Sequence, residues 1–332
     1  MRRTSSVTSL SWIPSEAVVG MNKVVFESGF THYDDPPPDQ LDDLDEMAAA
    51  DRFRFANNLE AWIEVGDGGE IVDCGYSGHS VMGATTVRVA RHDIARFPAV
   101  AFDELRSDPE HRDDAVVFTQ TSGGHVALPA PRRVAHPPFV KLEAPTVWTT
   151  LELVLHADGR AEHRLVGASA FPRHWIYDDR GALEAKVGLT DFKEWWRRAF
   201  GKRTPWHAHD REAIVTSVET ALERELAGTI MRGGEKPKVR KLRKGALLTE
   251  QGAPGDEVFL LLDGVLDVEV DGNPLAELGP GAVLGERAVL GDGRRTATLR
   301  ARTAVRVAVA EHGQLDLEKL ALVSAEHRRE EV

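Results

Sequence analysis

Residues 285–298 read Gly-Glu-Arg-Ala-Val-Leu-Gly-Asp-Gly-Arg-Arg-Thr-Ala-Thr, and this stretch decides how the C-terminal third of the chain is read. Gly285 stands before a single helical turn, and Arg295 returns nine residues after Glu286. A glycine ahead of a short helix lets backbone N–H groups face an anion. An arginine coming back from the far side of the loop can grip a phosphate through two parallel hydrogen bonds. A glutamate beside the turn can accept from a sugar hydroxyl.

Outward from this stretch, residues 244–309 alternate short apolar runs with glycines at 245, 252, 255, 264, 272, 279 and 281. Val258-Phe259-Leu260-Leu261-Leu262 and Val265-Leu266-Asp267-Val268-Glu269-Val270 read as paired strands on either side of Gly264. Residues 298–309 alternate apolar with basic or small residues. Many short strands with glycine corners predict a β-jelly-roll barrel with short helices.

The pattern Gly-Glu-x-Ala-x-Leu at 285–290, followed by Arg-x-Ala-Thr at 295–298, resembles the cyclic-nucleotide-binding domain of the bacterial cyclic-AMP receptor protein and the cyclic-nucleotide-dependent kinases. The resemblance covers about 236–325, under a third of the chain. It implies that Glu286 holds the ribose 2′-hydroxyl and Arg295 the cyclic phosphate. The amides of Ala288 and Thr296 complete the cradle, with Gly285 allowing close approach; Arg287 and Ala297 complete the expected ligand-binding set. The implied ligand is cyclic AMP or cyclic GMP, with no further cofactor. Thr296 matches a hydroxyl that favours guanine in some cyclic-GMP receptors, but the same residue occurs in cyclic-AMP binders.

Three departures from the family pattern stand out. Arg287 replaces a usual apolar residue, adding a second cation or pointing to solvent. Residues 316–332 leave room for one helix, so the family's capping helix is short or comes from elsewhere. No helix-turn-helix follows, so a transcription-factor role is unsupported.

The sequence upstream has a different character. The region Gly233-Gly234-Glu235-Lys236-Pro237 is linker chemistry, and the formal charge is −11 before residue 236 and −1 after it. All seven tryptophans precede this seam. The expected divisions are 1–50, an N-terminal segment with an acidic, proline-rich connector; 51–205, a domain of unrecognised family; 206–235, helix and linker; and 236–332, the sensor. Residues 2–5, Arg-Arg-Thr-Ser, read as a frayed terminus. Segment 33–46 holds seven acids, no Lys or Arg and three consecutive prolines. It reads as a solvated connector and helix cap, with a docking strip for a basic partner as the alternative.

Within 51–205, residues 61–65 and 70–74 predict a hairpin. A three-residue loop at 158–160 would pair Leu155 with His163 and Leu153 with Leu165, placing Leu151, Leu153, Leu155, His163 and Leu165 on one face. Asp191 or Thr190 caps a helix carrying Trp195, Trp196 and Phe200, read as core rather than a ligand pocket. Ile214, Val218, Leu222, Leu226 and Ile230 predict an amphipathic helix over 211–230, the element that would move when ligand binds. The fold class is therefore α+β, a mainly antiparallel sheet with helices followed by the jelly roll. Neither His207-Ala208-His209-Asp210 nor the His174, Tyr177, Asp178 and Asp179 group supports a metal or catalytic site over capping and packing. The sequence assigns no catalytic and no metal-ligating residue.

The chain of 332 residues carries a net charge of −12, which argues against nucleic acid and anionic membranes as partners. One cysteine, Cys74, excludes an internal disulfide, and together with the absence of a leader or span it points to the cytoplasm. The expected function is a cyclic-nucleotide sensor governing an N-terminal domain of unknown activity. The alternatives are a nucleotide-regulated enzyme with its catalytic site in 1–235, and a scaffold with a non-binding barrel. Homo-oligomerisation stays open.

Overall fold

The structure, a computed structural model, describes all residues except 21, 30, 90–91, 129, 134, 201–203, 208–211, 220, 233–236, 312–316 and 331–332. The chain divides into two units, 1–185 with 191–213, and 186–190 with 214–332. The seam expected at 233–236 lies outside the described residues, as do His209 and Asp210. Among the described residues no helix is long and apolar enough to cross a membrane.

In the first unit, strands Arg173–Tyr177, Arg2–Trp12, Phe55–Val65 and Ile71–Ser77 form one antiparallel run. A second run is Ala161–Ala168, Thr146–His156 and Ala115–His125. Val7, Leu59, Ile63, Phe118, Leu151 and Leu153 are fully buried. Polar side chains also join the two sheets: Ser9 Oγ donates to Thr149 Oγ1 at 3.0 Å and Gln120 Nε2 to Asn57 Oδ1 at 2.8 Å. Such groups survive burial because they satisfy one another.

Residues 2–12 are a strand paired on both sides rather than a frayed end, with Arg2 opposite Glu64 and Leu10 opposite Trp175. Hydroxyl and β-branched residues suit a pleated surface, and non-local partners override terminal position. The hairpin expected at 61–74 forms, with Ile63 opposite Cys74. The next hairpin keeps its expected face but shifts by two residues, pairing Leu153 with His163 and Leu151 with Leu165. Gly159, at φ +98°, makes the tight end of the turn and so fixes the shorter register. His163 is partly exposed and meets Glu184.

Among the described residues, helices are fewer and shorter than an α+β layout expects. Those of the first unit are the α-helices Asn22–Glu27, Leu44–Ala49 and Phe192–Arg198. Asp43 caps the second by accepting from the Asp45 and Glu46 amides, and Asp191 caps the third by accepting from Glu194 N at 2.9 Å. Phe171, Phe192, Trp195, Trp196 and Phe200 pack ring against ring in the core.

The second unit has two four-stranded antiparallel sheets. One runs Lys238–Leu242, Val305–Glu311, Glu257–Asp263, Val283–Leu284; the other runs Leu247–Thr249, Thr298–Ala301, Leu266–Val270, Asn273–Leu278. Phe259, Leu261, Leu266, Leu284, Leu299 and Val307 fill the space between them. This is a jelly-roll-like arrangement of two facing sheets, not a closed barrel. The expected pairing of 258–262 with 265–270 does not form. Gly264, at φ +89°, carries the chain from one sheet to the other, and a Cβ there would stand 2.3 Å from the Ala304 carbonyl.

The helix expected over 211–230 is also shorter. Val215–Ser217 is a strand, and the helix is Ala221–Arg232. The four-residue spacing is valid only from Leu222 onward. Leu226 and Ile230 pack with Leu320 and Val323 of helix Leu317–Glu330, against Val258, Leu260 and Leu262.

Candidate functional site

All seven residues expected to bind ligand line one cavity of about 160 Å³ in the second unit: Gly285, Glu286, Arg287, Ala288, Arg295, Thr296 and Ala297. Gly285 caps helix Glu286–Leu290 in the left-handed region, at φ +84°. Only glycine takes that conformation freely. Its missing side chain also matters, since a Cβ there would stand 2.6 Å from Arg295 Nη1.

Arg295 and Glu286 are 7% and 4% exposed. Charged side chains at that depth are retained by specific partners. Arg295 Nη1 donates to the Glu257 carbonyl at 2.8 Å and to the Gly285 carbonyl at 3.4 Å, and its guanidinium lies over the Phe259 ring. Burial draws its pKa below the usual arginine value, opposed by Glu257 and Asp256. An arginine stays cationic under such a pull, so the cavity contains a fixed positive charge facing a carboxylate. Arg287 also lines it, with Nε 3.8 Å from Glu286 Oε1 and its side chain 24% exposed.

The remaining wall is Thr249, Val268, Leu275, Ala276, Leu278, Leu284 and Leu299. These residues give an apolar surface beside the charged end, suited to a flat ring system attached to an anionic group. Sequence reasoning missed them because they come from four strands of the second sheet and the end of the first. The alternation of Val268 and Leu266 is the one signal available. Among the described residues, none of helix Leu317–Glu330 lines the cavity.

The other groups raised by the sequence lie in the first unit. His174 is fully buried; Ser11 Oγ donates to its Nδ1 at 2.6 Å, and its Nε2 donates to the Ser169 carbonyl at 2.9 Å. Tyr177 donates to the Pro38 carbonyl, and Asp178 accepts from the Arg180 and Ala182 amides. His207 lines a separate cavity of about 600 Å³ in the first unit, with Phe102, His125, Glu143 and Trp206. Among the described residues no group of three His, Cys, Asp or Glu side chains suits a metal ion.

Comparison with known proteins locates the same region. Residues 239–317 match the family model of the cyclic nucleotide-binding domain. The chain is 35% identical over 206 residues to the cGMP-dependent protein kinase egl-4 of Caenorhabditis elegans, covering 62% of this chain and 23% of the kinase. It is 40% identical over 68 residues to the cyclic nucleotide-gated potassium channel mll3241 of Mesorhizobium japonicum, covering 20% of this chain and 19% of the channel. It thus spans under a quarter of the length of these curated relatives. Among solved structures, one from a bacterial cyclic-GMP-dependent signalling pathway of phytopathogenesis is 26% identical, covering 34% of this chain and 93% of that one, at a TM-score of 0.28. The cAMP-bound EAL enzyme Bd1971 is 24% identical, covering 28% of each chain, at a TM-score of 0.24. With Glu286 and Arg295 both in place, residues 239–317 of this chain are a cyclic nucleotide-binding domain.

Proposed function

We propose that the cavity binds cyclic AMP or cyclic GMP, and that occupancy regulates the N-terminal part of the chain. The observation that carries this reading is that Arg295 and Glu286, both buried, line one cavity beside the left-handed Gly285. Arg295 would take the cyclic phosphate by charge-assisted hydrogen bonds. Glu286 would accept from the ribose 2′-hydroxyl, and the apolar wall from Val268 to Leu299 would take the base. The amides of Ala288 and Thr296 would complete the phosphate cradle. The names of the relatives, a cGMP-dependent kinase and a cyclic nucleotide-gated channel, support a signalling role.

Calorimetry with both nucleotides tests the reading. Saturable binding is expected in the wild type. Arg295→Ala should weaken it at least about 30-fold, because losing a buried charged partner removes on the order of 2–5 kcal/mol. Absence of binding to the wild type, or unchanged binding to Arg295→Ala, defeats it.

A second reading, a nucleotide-regulated enzyme, has its place in the first unit's cavity, where His125, His207 and Glu143 lie beside Phe102 and Trp206. Hydrolase activity abolished by His125→Ala would favour it over a non-catalytic regulator.

A further inference from the structure

Lys186 is 1% exposed. An ammonium group is tolerated at such depth only when partners replace its water. Its Nζ donates to Glu219 Oε2 and to the Pro280 carbonyl. Glu219 is itself buried, at 8%. All three residues belong to the second unit.

Three glycines permit this close packing. Gly281 has φ +106°, and a Cβ there would stand 2.6 Å from the Glu219 carboxyl carbon. At Gly279 a Cβ would stand 2.0 Å from Thr216 Oγ1, and at Gly188 2.6 Å from Val265 Cγ2. Gly188 N also donates to the Ile214 carbonyl at 2.6 Å. Segments 186–188, 214–219 and 279–281 therefore interlock without room for another side chain.

The third of these segments leads directly to the nucleotide site. Gly281 N donates to the Leu261 carbonyl at 2.7 Å, and Leu261 N to the Ala282 carbonyl at 2.9 Å. Glu223 of helix Ala221–Arg232 accepts from Val283 N at 3.0 Å. Gly285 follows two residues later. Two carboxylates four residues apart, Glu219 and Glu223, thus hold the backbone that delivers the cassette, the first of them through Lys186.

Lys186 also belongs to strand Leu183–Val187, which begins in the first unit and ends in the second. A buried ion pair adds little stability over an apolar pair of the same volume. It does impose direction, because the ammonium must meet the Glu219 carboxylate and the Pro280 carbonyl together. Tightly packed segments respond to a shift by moving as discrete pieces.

We propose that Lys186 is a positioning residue for the nucleotide site, fixing residues 279–284 through Glu219 and Pro280, and that it passes nucleotide occupancy to strand Leu183–Val187. This rests on the reading of 285–297 as the nucleotide site. Ligand contact at Gly285–Ala288 pulls on the 279–284 backbone, and the lysine carries that displacement to its own strand.

The test is hydrogen exchange on the full chain, with and without cyclic AMP or cyclic GMP, alongside calorimetry. The variant is the double substitution Lys186→Met with Glu219→Leu, which leaves no buried charge behind and so keeps the fold. In the wild type, nucleotide should slow exchange at 285–297 and change it at 183–190. The double variant should bind about tenfold more weakly and lose the change at 183–190 while keeping that at 285–297. Wild-type affinity in the double variant, or an undiminished change at 183–190, overturns the proposal. The wild-type measurement alone also decides: binding with no change at 183–190 overturns the coupling and leaves the nucleotide site standing. No binding in the wild type overturns both.

Discussion

Arg295 fills the space that a side chain at Gly255 would need: a Cβ there would stand 2.0 Å from Arg295 Nε and 2.3 Å from its Cζ. The same turn fixes the arginine's backbone, since Arg295 N donates to the Ala253 carbonyl at 2.8 Å and Gly252 N to the Arg295 carbonyl at 2.8 Å. Gly255 is thus a hidden determinant of where the cation stands in the candidate site. Gly255→Ala should displace the guanidinium without changing any charge. We expect affinity for cyclic nucleotide to fall about tenfold or more, with a stability loss of about 1–3 kcal/mol from overpacking. An unchanged Kd by calorimetry would contradict the placement.

Arg287 and Arg295 share the cavity but not their burial. Arg295 is 7% exposed, whereas the Arg287 side chain is 24% exposed and near Glu286. A charge reachable by water is screened and contributes less. Arg287→Leu should therefore weaken nucleotide binding less than about fivefold, against the much larger loss in Arg295→Ala. Raising salt should narrow the difference between wild type and Arg287→Leu. A loss as large as that of Arg295→Ala would show that Arg287 holds the phosphate directly.

The cassette was legible because its chemistry is local: residues 285–297 bring glycine, acid and arginine together over thirteen positions. Its apolar wall was not, because Val268, Leu275 and Leu299 meet only after Gly264 has sent the chain across to the second sheet. The same limit explains the first unit. Arg2–Trp12 pairs with strands more than 40 and 160 residues away, and nothing near the terminus announces those partners. The four-residue spacing from Ile214 to Ile230 spans two elements by coincidence, since Thr216 is buried between exposed neighbours as a strand requires.

The acidic segment 33–46 is not uniformly solvated. Asp34 is buried, accepting from Ile13 N at 2.7 Å and from Arg54 Nε at 3.0 Å. Arg54 also donates to Thr85 Oγ1 at 2.7 Å. Burial pushes the Asp34 carboxyl upward, with Arg54 opposing it. Asp34→Asn would leave Arg54 buried without its counter-charge, at a cost of about 3–5 kcal/mol. Neutralising exposed Asp35 and Asp42 together should change stability by less than about 0.5 kcal/mol each. Urea unfolding followed by tryptophan fluorescence reads both, because all seven tryptophans lie in the first unit. The docking alternative should accordingly be probed with Asp35→Asn and Asp42→Asn, since deleting 33–46 removes a core residue.

His174 makes the first unit sensitive to acid. Its ring is fully buried between Ser11 and Ser169, and desolvation lowers its pKa to about 4. The unfolded chain, with an ordinary histidine near pH 6.5, binds the proton more readily than the folded one. The stabilisation is therefore complete above pH 6.5 and is lost as pH falls toward 4. The full loss is about 3 kcal/mol, from 1.36 kcal/mol per pKa unit. His174→Gln retains an amide donor for the Ser169 carbonyl but cannot take up a proton. The wild-type urea midpoint should thus fall more steeply than the variant's between pH 6.5 and 4.5, while above pH 7 the two should run parallel. Parallel curves throughout that acid range would mean that the imidazole takes up its proton as readily in the folded protein as in the unfolded chain, which would contradict a ring buried in its neutral form.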